Sequence, residues 1–527
     1  MDIMGGQSKI PARNSGAHRQ DATANLPRCP RRDMILRRLA VIAVVACGSP
    51  GQASVQAQSV PRFEPVERSK FPVAVPASRR ATVGYLVVWE DRSTRSATIR
   101  LPVAVVHAPE PSELEPVLLI TGGPGSGSLT PAAYPGAYPW TAERDFVVFG
   151  QRGTQHAQPA LECPELEKAF GDVLNREDRD ARHQILGAAA RTCRERLRGS
   201  GVDLSAYHTD AITEDVDDLA SVLGISRLIL FGLSYGTRVA LDLARDFPER
   251  VAAMVLDSPL PPEVQYDDES AVNFRNALEA VASACSEDTA CDAAYPDLRN
   301  RFFAGLDAAE AAPVAVRLQD SGHVLQLDGA RLASLIDLGS PGGLRLAPQR
   351  MAILAEGDPE LLRPLLPQSY SGSGFAWGMR ASVWCAEAWP FSERAEASGP
   401  GPTLGGYESA AVSPPICREW GVPRRPGEFT RPVSTDIPTL LIAGEFDPAT
   451  PPEWAHRAAT SLSNSRVLVI SGATHTPSVQ WDGEGCARSV ATDFVAHPER
   501  WLADSDVPAC MINRSDVEFE VEAASAR

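Results

Sequence analysis

The chain has 527 residues, a formal net charge of −17 and 44% hydrophobic residues. That length exceeds the roughly 100–200 residues of one domain, and that hydrophobic fraction excludes a disordered chain. The acidic balance repels phosphate backbones and argues against nucleic acid as a partner.

The N-terminal region differs from the rest. Arg37 and Arg38 precede a short apolar run, Leu39 to Ala46. This is the positive-then-apolar order of an export signal, and the run is shorter than the about 20 residues a membrane-spanning helix needs. Two cleavage readings stand. Val44-Val45-Ala46-Cys47 has the form of a lipobox, which would place a lipid, and the one expected membrane attachment, on Cys47. Val55-Gln56-Ala57 instead fits the small-residue rule of ordinary signal cleavage. Met34 is a more natural start than Met1. Residues 1–57 are read as a leader with a net charge of +5, which leaves the remainder at −22. The expected location is periplasmic or extracellular.

Cysteine usage agrees with export. Beyond Cys29 and Cys47, eight remain: Cys163, Cys193, Cys285, Cys291, Cys385, Cys417, Cys486 and Cys510. An even number in an exported chain suggests disulfides, although eight cysteines allow 105 pairings. Pairing sequence neighbours (163–193, 285–291, 385–417, 486–510) is the simplest arrangement, and buried free thiols are the alternative. Neither a C-x-x-C pair nor clustered histidines suggest zinc, and no metal or cofactor is expected.

Residues 58–80 are Pro-rich and read as extended. Val83 to Trp89 and Ala97 to Val106 flank Glu90-Asp91-Arg92-Ser93 and predict a β-hairpin. Val117–Ile120 and Phe146–Phe149 read as buried strands. Thr213 to Leu223 has helical spacing, with Thr213 as its N-cap and acidic residues in its first turn. Leu228–Phe231 predicts a strand, Tyr235 to Arg245 a helix, and Ala253–Leu256 the next strand. Short, wholly apolar strands alternating with helices indicate a parallel sheet covered on both faces. The rhythm stops near Pro261 and resumes at Thr439–Ala443 and Val467–Ile470. The expected architecture is an α/β core in two parts, 58–264 and 431–515, interrupted by a helical cap over 265–430 and followed by a tail over 516–527.

Gly232-Leu233-Ser234-Tyr235-Gly236 lies between a predicted strand and a predicted helix. This is the G-x-S-x-G nucleophile elbow of the α/β-hydrolase fold, whose tight turn needs glycine two residues either side of the serine. Ser234 is the expected nucleophile. A serine needs a base, and the base an orienting acid, in the chain order Ser, Asp, His. Asp447 follows the Leu440–Ala443 strand and His475 the Val467–Ile470 strand, both at C-terminal strand ends. Asp447 could otherwise cap a turn, and Glu445 competes for the acid role, although alternation turns it away. His456 and His497 sit in helical, charged segments and read as solvated. Thr121-Gly122-Gly123-Pro124-Gly125 follows a strand end, where backbone N–H groups of Gly122 and Gly123, with that of Tyr235, can face a developing oxyanion. A plain turn is the other reading, and a P-loop is excluded because no Lys-Ser/Thr follows.

Together these residues resemble the prolyl iminopeptidase and tripeptidyl aminopeptidase family of serine exopeptidases. The resemblance rests on Gly-Gly-Pro-Gly at 122–125, Gln151-Arg152-Gly153-Thr154, Gly-Leu-Ser-Tyr-Gly-Thr at 232–237, Asp447-Pro448-x-Thr450-Pro451 and Thr474-His475-Thr476, and spans roughly 80–510. It departs at Thr121, where the family has His, and at Gly150, where it has Asp. The resemblance implies a peptide substrate with a free N-terminus, released in short units through an acyl-enzyme. It also implies an acidic amine-binding residue near the cap, and Glu387 in Trp384-Cys385-Ala386-Glu387 is the candidate, against a structural ion-pair role. An esterase or lipase with the same triad, and a binding protein on the same scaffold, are the alternative functions.

Overall fold

The computed structural model describes residues 59–521, apart from 174–175, 177, 319–322, 367–373, 394–413, 481–484, 505, 507 and 513–516. The leader, Cys47 and the end of the tail lie outside the described residues.

Eleven strands are described: β1 (Arg62–Pro65), β2 (Ala81–Trp89), β3 (Thr98–Val106), β4 (Val117–Ile120), β5 (Phe146–Phe149), β6 (Leu228–Leu233), β7 (Val251–Asp257), β8 (Val314–Arg317), β9 (Val324–Leu327), β10 (Thr439–Gly444) and β11 (Ser465–Ile470). Nine of them form one sheet in the order β1-β2-β3-β5-β4-β6-β7-β10-β11. β5, β4, β6, β7, β10 and β11 run parallel, while β3, β2 and β1 continue the sheet antiparallel. The expected hairpin is β2–β3, closed by the Trp89–Thr98 pair. Its turn is not free: Arg92 bonds to Asp215 at 2.7 Å and to Asp218 at 2.6 Å.

The apolar strands follow from burial on both faces. Along β4, Leu118 and Ile120 join a core with Val216, Leu219 and Val239, whereas Val117 and Leu119 join the opposite core with Val490 and Phe494. The first face is covered by α1 (Thr209–Leu223) and α2 (Tyr235–Asp246). Alternation at period 2 therefore feeds two cores, and every position must be apolar.

Helix α1 starts four residues before the expected Thr213. His208 caps it, its Nδ1 accepting from Ala211 N at 3.2 Å, and Thr213 lies inside the helix with its hydroxyl donating to the Asp210 carbonyl at 2.7 Å. A histidine ring nitrogen supplies the capping acceptor that hydroxyl and carboxylate side chains more often provide. Asp215 in this helix is fully buried in a bidentate pair with Arg152, at 2.8 and 2.7 Å. The Gln-Arg-Gly-Thr segment is thereby clamped to α1.

The interval between β7 and β10 has two parts. α3 (Tyr266–Glu287), α4 (Leu298–Ala311) and α5 (Pro341–Glu356) surround a separate apolar core containing Leu278, Phe302 and Met351. The same core takes in the antiparallel ribbon β8–β9 through Val316, Leu325 and Leu327, an element that the helical reading of this insertion does not contain. The second part, α6 (Trp377–Glu387), shares the core of the sheet through Met379, Val383 and Trp384.

Four disulfides join Cys163–Cys193, Cys285–Cys291, Cys385–Cys417 and Cys486–Cys510, each pair neighbours in sequence. The third fixes α6. A closed loop of this size is worth about 3–4 kcal/mol in the chain-entropy picture. Such bonds fit an oxidising compartment. Among the described residues no helix is long and apolar enough to cross a membrane.

Candidate active site

The elbow between β6 and α2 holds Ser234 at φ 54° and ψ −123°. A non-glycine residue rarely occupies this region, and the tight turn imposes it. A side chain at 236 would place its first carbon 2.0 Å from the Ile120 carbonyl oxygen, and one at 232 would sit 2.7 Å from that of Gly236. Only glycine lets β4, β6 and α2 approach this closely. Ser234 N donates to the Asp257 carbonyl at 2.9 Å, which ties the elbow to β7.

Asp447 and His475 meet across the ends of β10 and β11. His475 Nδ1 lies 2.8 Å from Asp447 Oδ2, and Asp447 is 1% exposed. The remaining acceptor capacity of this carboxylate is used: Oδ1 accepts from Ala449 N at 2.8 Å and Thr450 N at 3.0 Å, and Oδ2 from the Thr450 hydroxyl at 2.8 Å. Burial alone would raise its pKa. The charge and hydrogen bond of His475, with the bonds from Thr450, outweigh that and hold it below the usual carboxylate value. The same pairing acts on His475, where burial would favour the neutral ring but Asp447 raises the pKa above its ordinary 6.5.

Thr450 Oγ1 also lies 3.2 Å from His475 Nδ1. The sequence shows this threonine within Asp447-Pro448-x-Thr450-Pro451, and the x-x-Thr spacing after an aspartate was the signal that it folds back onto it. The histidine loop is further held by Thr476 N donating to Ser258 Oγ at 2.8 Å and Gln480 Nε2 donating to the His475 carbonyl at 2.9 Å. A second buried acid stands nearby. Burial pushes the Asp257 carboxyl up to about 7, against the hydrogen bonds it accepts from Ser478.

Ser234, His475, Thr450, Gly122 and Gly123 line one cavity of about 430 Å³. No hydrogen bond joins the Ser234 hydroxyl to His475 among the described contacts, a looseness common where no substrate is bound. Gly122 lies against the serine: a methyl carbon at 122 would be 2.7 Å from Ser234 Cβ and 3.1 Å from its Oγ. Tyr235 is the first residue of α2, so its N–H has no acceptor within the helix. Gly122 thus lies against the serine side chain, and Tyr235 N follows it in the chain.

The departures at Thr121 and Gly150 have local compensations. Gln151 Nε2 donates to the Thr121 carbonyl at 2.9 Å, and the Thr121 and Ser128 hydroxyls are 2.6 Å apart. A side-chain carbon at 150 would stand 2.8 Å from Pro102 Cγ.

Two acidic residues stand elsewhere than the chemistry. Glu445 accepts from Ser471 Oγ at 2.7 Å and Gly472 N at 3.0 Å, so it fastens the end of β11 rather than meeting His475. Glu387 does not reach the cavity, and its reading as an amine-binding group is corrected. It is 2% exposed, and its carboxylate accepts from Thr209 N at 2.6 Å and Thr209 Oγ1 at 2.5 Å. Thr209 Oγ1 in turn lies 2.7 Å from the Tyr235 hydroxyl. Glu387 thus pins α6 to the start of α1, and its Oε2 lies 3.9 Å from Arg238 Nε on the elbow helix, the structural ion-pair role. His456 and His497 are exposed.

Two family models match the chain: "alpha/beta hydrolase fold" over residues 115–294 and "TAP-like protein" over residues 405–506. The serine protease Hip1 of Mycobacterium tuberculosis is 26% identical over 539 aligned residues, which cover 89% of this chain and 97% of that protein. The tripeptidyl aminopeptidase of Streptomyces coelicolor is 31% identical over 154 residues, 27% of this chain and 27% of that protein. That of Streptomyces lividans is 32% identical over 154 residues, 27% of this chain and 28% of that protein.

Proposed function

We propose that this chain, which has the α/β-hydrolase fold, is an exported serine peptidase that releases short N-terminal units from peptides through an acyl-enzyme at Ser234. The observation that carries the reading is the 2.8 Å contact of His475 with a buried Asp447 on the cavity that also holds Ser234. The protease and aminopeptidase activities of its relatives supply the substrate class, and four disulfides support the exported location.

The steps follow from the placement. Neutral His475 takes the Ser234 proton as the hydroxyl attacks the scissile carbonyl. Asp447 holds the Nδ1–H tautomer and stabilises the imidazolium. The tetrahedral oxyanion draws on the N–H groups of Gly122 or Gly123 and Tyr235. His475 then protonates the departing amine, and water repeats the sequence on the acyl-enzyme.

The test is a panel of peptide anilides with free and N-acetylated termini on the purified protein. Cleavage of the free-amine members only supports the exopeptidase reading. Equal cleavage of blocked peptides would replace it with endopeptidase action. Rapid turnover of simple esters with no peptide cleaved would make the protein an esterase.

Two expected outcomes follow. Gly122→Ala would press a methyl group against the nucleophile and displace the oxyanion donor. It should lower kcat by roughly 10²–10³-fold, the loss typical of one such donor, while circular dichroism stays unchanged. Secondly, the base works only when neutral. Because Asp447 raises the His475 pKa, kcat/KM should fall as the pH drops, with its acid limb centred above 6.5. A limb centred below 6 would mean that His475 is not the titrating base.

A further inference from the structure

The wall of the Ser234 cavity carries no carboxylate among its described residues and a single fixed cation, Arg380. This arginine projects from α6, is 7% exposed, and lies over the Trp384 ring at 3.8 Å. Its Nη1 donates to the carbonyl of Gly123 in the oxyanion turn. Its Nε is buried without a hydrogen-bond partner, and the ion pairs found among the described residues do not include Arg380. Asp267, on α3, bears on it electrostatically, but its Oδ2 accepts from Trp384 Nε1 at 2.8 Å. Burial pushes the guanidinium pKa down to about 10, the direction expected of a cation removed from water without an anion to meet it.

A buried guanidinium costs free energy unless it is paired, and one carbonyl with one aromatic face compensates only part of that cost. Elsewhere in this protein buried or half-buried arginines do find acids: Arg152 with Asp215, and Arg92 with Asp215 and Asp218. Arg380 differs in facing the space where the acyl part of a substrate must lie.

We propose that Arg380 is a specificity-determining residue, which receives an acidic side chain on the residue whose carbonyl is attacked by Ser234. The planar fork matches a carboxylate, and Trp384 and Tyr266 wall the same cavity, giving the aliphatic stem of a glutamate or aspartate apolar contact. The inference deepens the peptidase reading and rests on it only for the nature of the leaving group, since the preference belongs to the acyl side.

The decisive comparison is between isosteres. Free-amine peptide anilides ending in Glu and Gln at the attacked position are measured beside p-nitrophenyl esters of glutaric acid and of its monoamide. The wild type should favour the acid of each pair by at least about tenfold in kcat/KM. Arg380→Met should bring the ratio to near unity, and Arg380→Lys should keep part of it. A general fall in rate with the ratio intact would mean that Arg380 only positions the Gly123 turn, and would overturn the proposal. So would equal wild-type rates on Glu and Gln, a result that needs no folded variant. If the esters show the preference and no peptide is cleaved, the acyl specificity stands and the peptidase reading falls.

Discussion

Ser234→Ala is expected to lower kcat by roughly a millionfold, the scale seen when a serine nucleophile acting within a triad is removed, and to abolish labelling by a fluorophosphonate probe. The structure makes this substitution unusually clean. The Ser234 hydroxyl has no hydrogen-bond partner among the described residues, so its loss leaves no buried group unsatisfied. The elbow is held by other atoms: Ser234 N on the Asp257 carbonyl, Thr237 N and Oγ1 on the Ser234 carbonyl, and the glycines at 232 and 236. Alanine keeps the same side-chain carbon at φ 54°, so it keeps the same backbone strain. Thermal midpoints of wild type and Ser234→Ala should therefore agree, whereas Ser234→Gly, relieved of that strain, should gain about 1 kcal/mol or more. Retained turnover in the alanine variant would remove Ser234 from the reaction.

What the sequence disclosed and what it hid divide along physical lines. The elbow was readable because its geometry forbids any residue but glycine at 232 and 236, and such a requirement is local. Asp447 and His475 were readable because each follows an apolar strand in a sheet whose C-terminal edge gathers reactive side chains. Glu387 misled for the opposite reason. A carboxylate that directly follows a run of apolar residues, Val383 to Ala386, gives no sign of which way it points, and the groups it meets, Thr209 and Arg238, are far away in the chain. The start of α1 was hidden by a histidine acting as cap. Arg380 carried no local signal, since its meaning lies in the carboxylates that are not near it.

The cap contributes to the site through α6 and through Tyr266 at the start of α3. α6 supplies Arg380 and Trp384 to the cavity and sets Glu387 beside Arg238 of the elbow helix, while Ala376 N, just before it, donates to the Gly125 carbonyl at 3.0 Å. The Gly122–Gly125 turn is thus fastened to the segment that lines the cavity. Cys385–Cys417 ties the same helix to the segment around Cys417. Movement of α6 would disturb binding and charge stabilisation together, so substitutions along it should change KM and kcat jointly rather than one alone.

Asp447→Asn should cost roughly 10⁴-fold in kcat, the loss found when a triad aspartate is replaced by its amide. Here the reason can be followed atom by atom. Oδ1 accepts two backbone N–H groups, from Ala449 and Thr450. An asparagine must keep its oxygen at that position, because an NH2 there would face two donors. Its NH2 therefore falls where Oδ2 stood, 2.8 Å from His475 Nδ1. A donor at that place forces Nδ1 to accept, which moves the ring proton to Nε2 and leaves His475 without a lone pair for the Ser234 hydroxyl. Thr450→Val is a milder change. It removes one hydroxyl donor from Oδ2 but leaves both backbone bonds and the correct tautomer, so its loss should be nearer tenfold, about the net worth of one hydrogen bond to a charged group. The two variants should therefore differ by about three orders of magnitude in kcat while folding alike by circular dichroism. An asparagine variant within tenfold of wild type would show that another carboxylate orients the base, and Asp257, buried beside the histidine loop, would be the one to replace next.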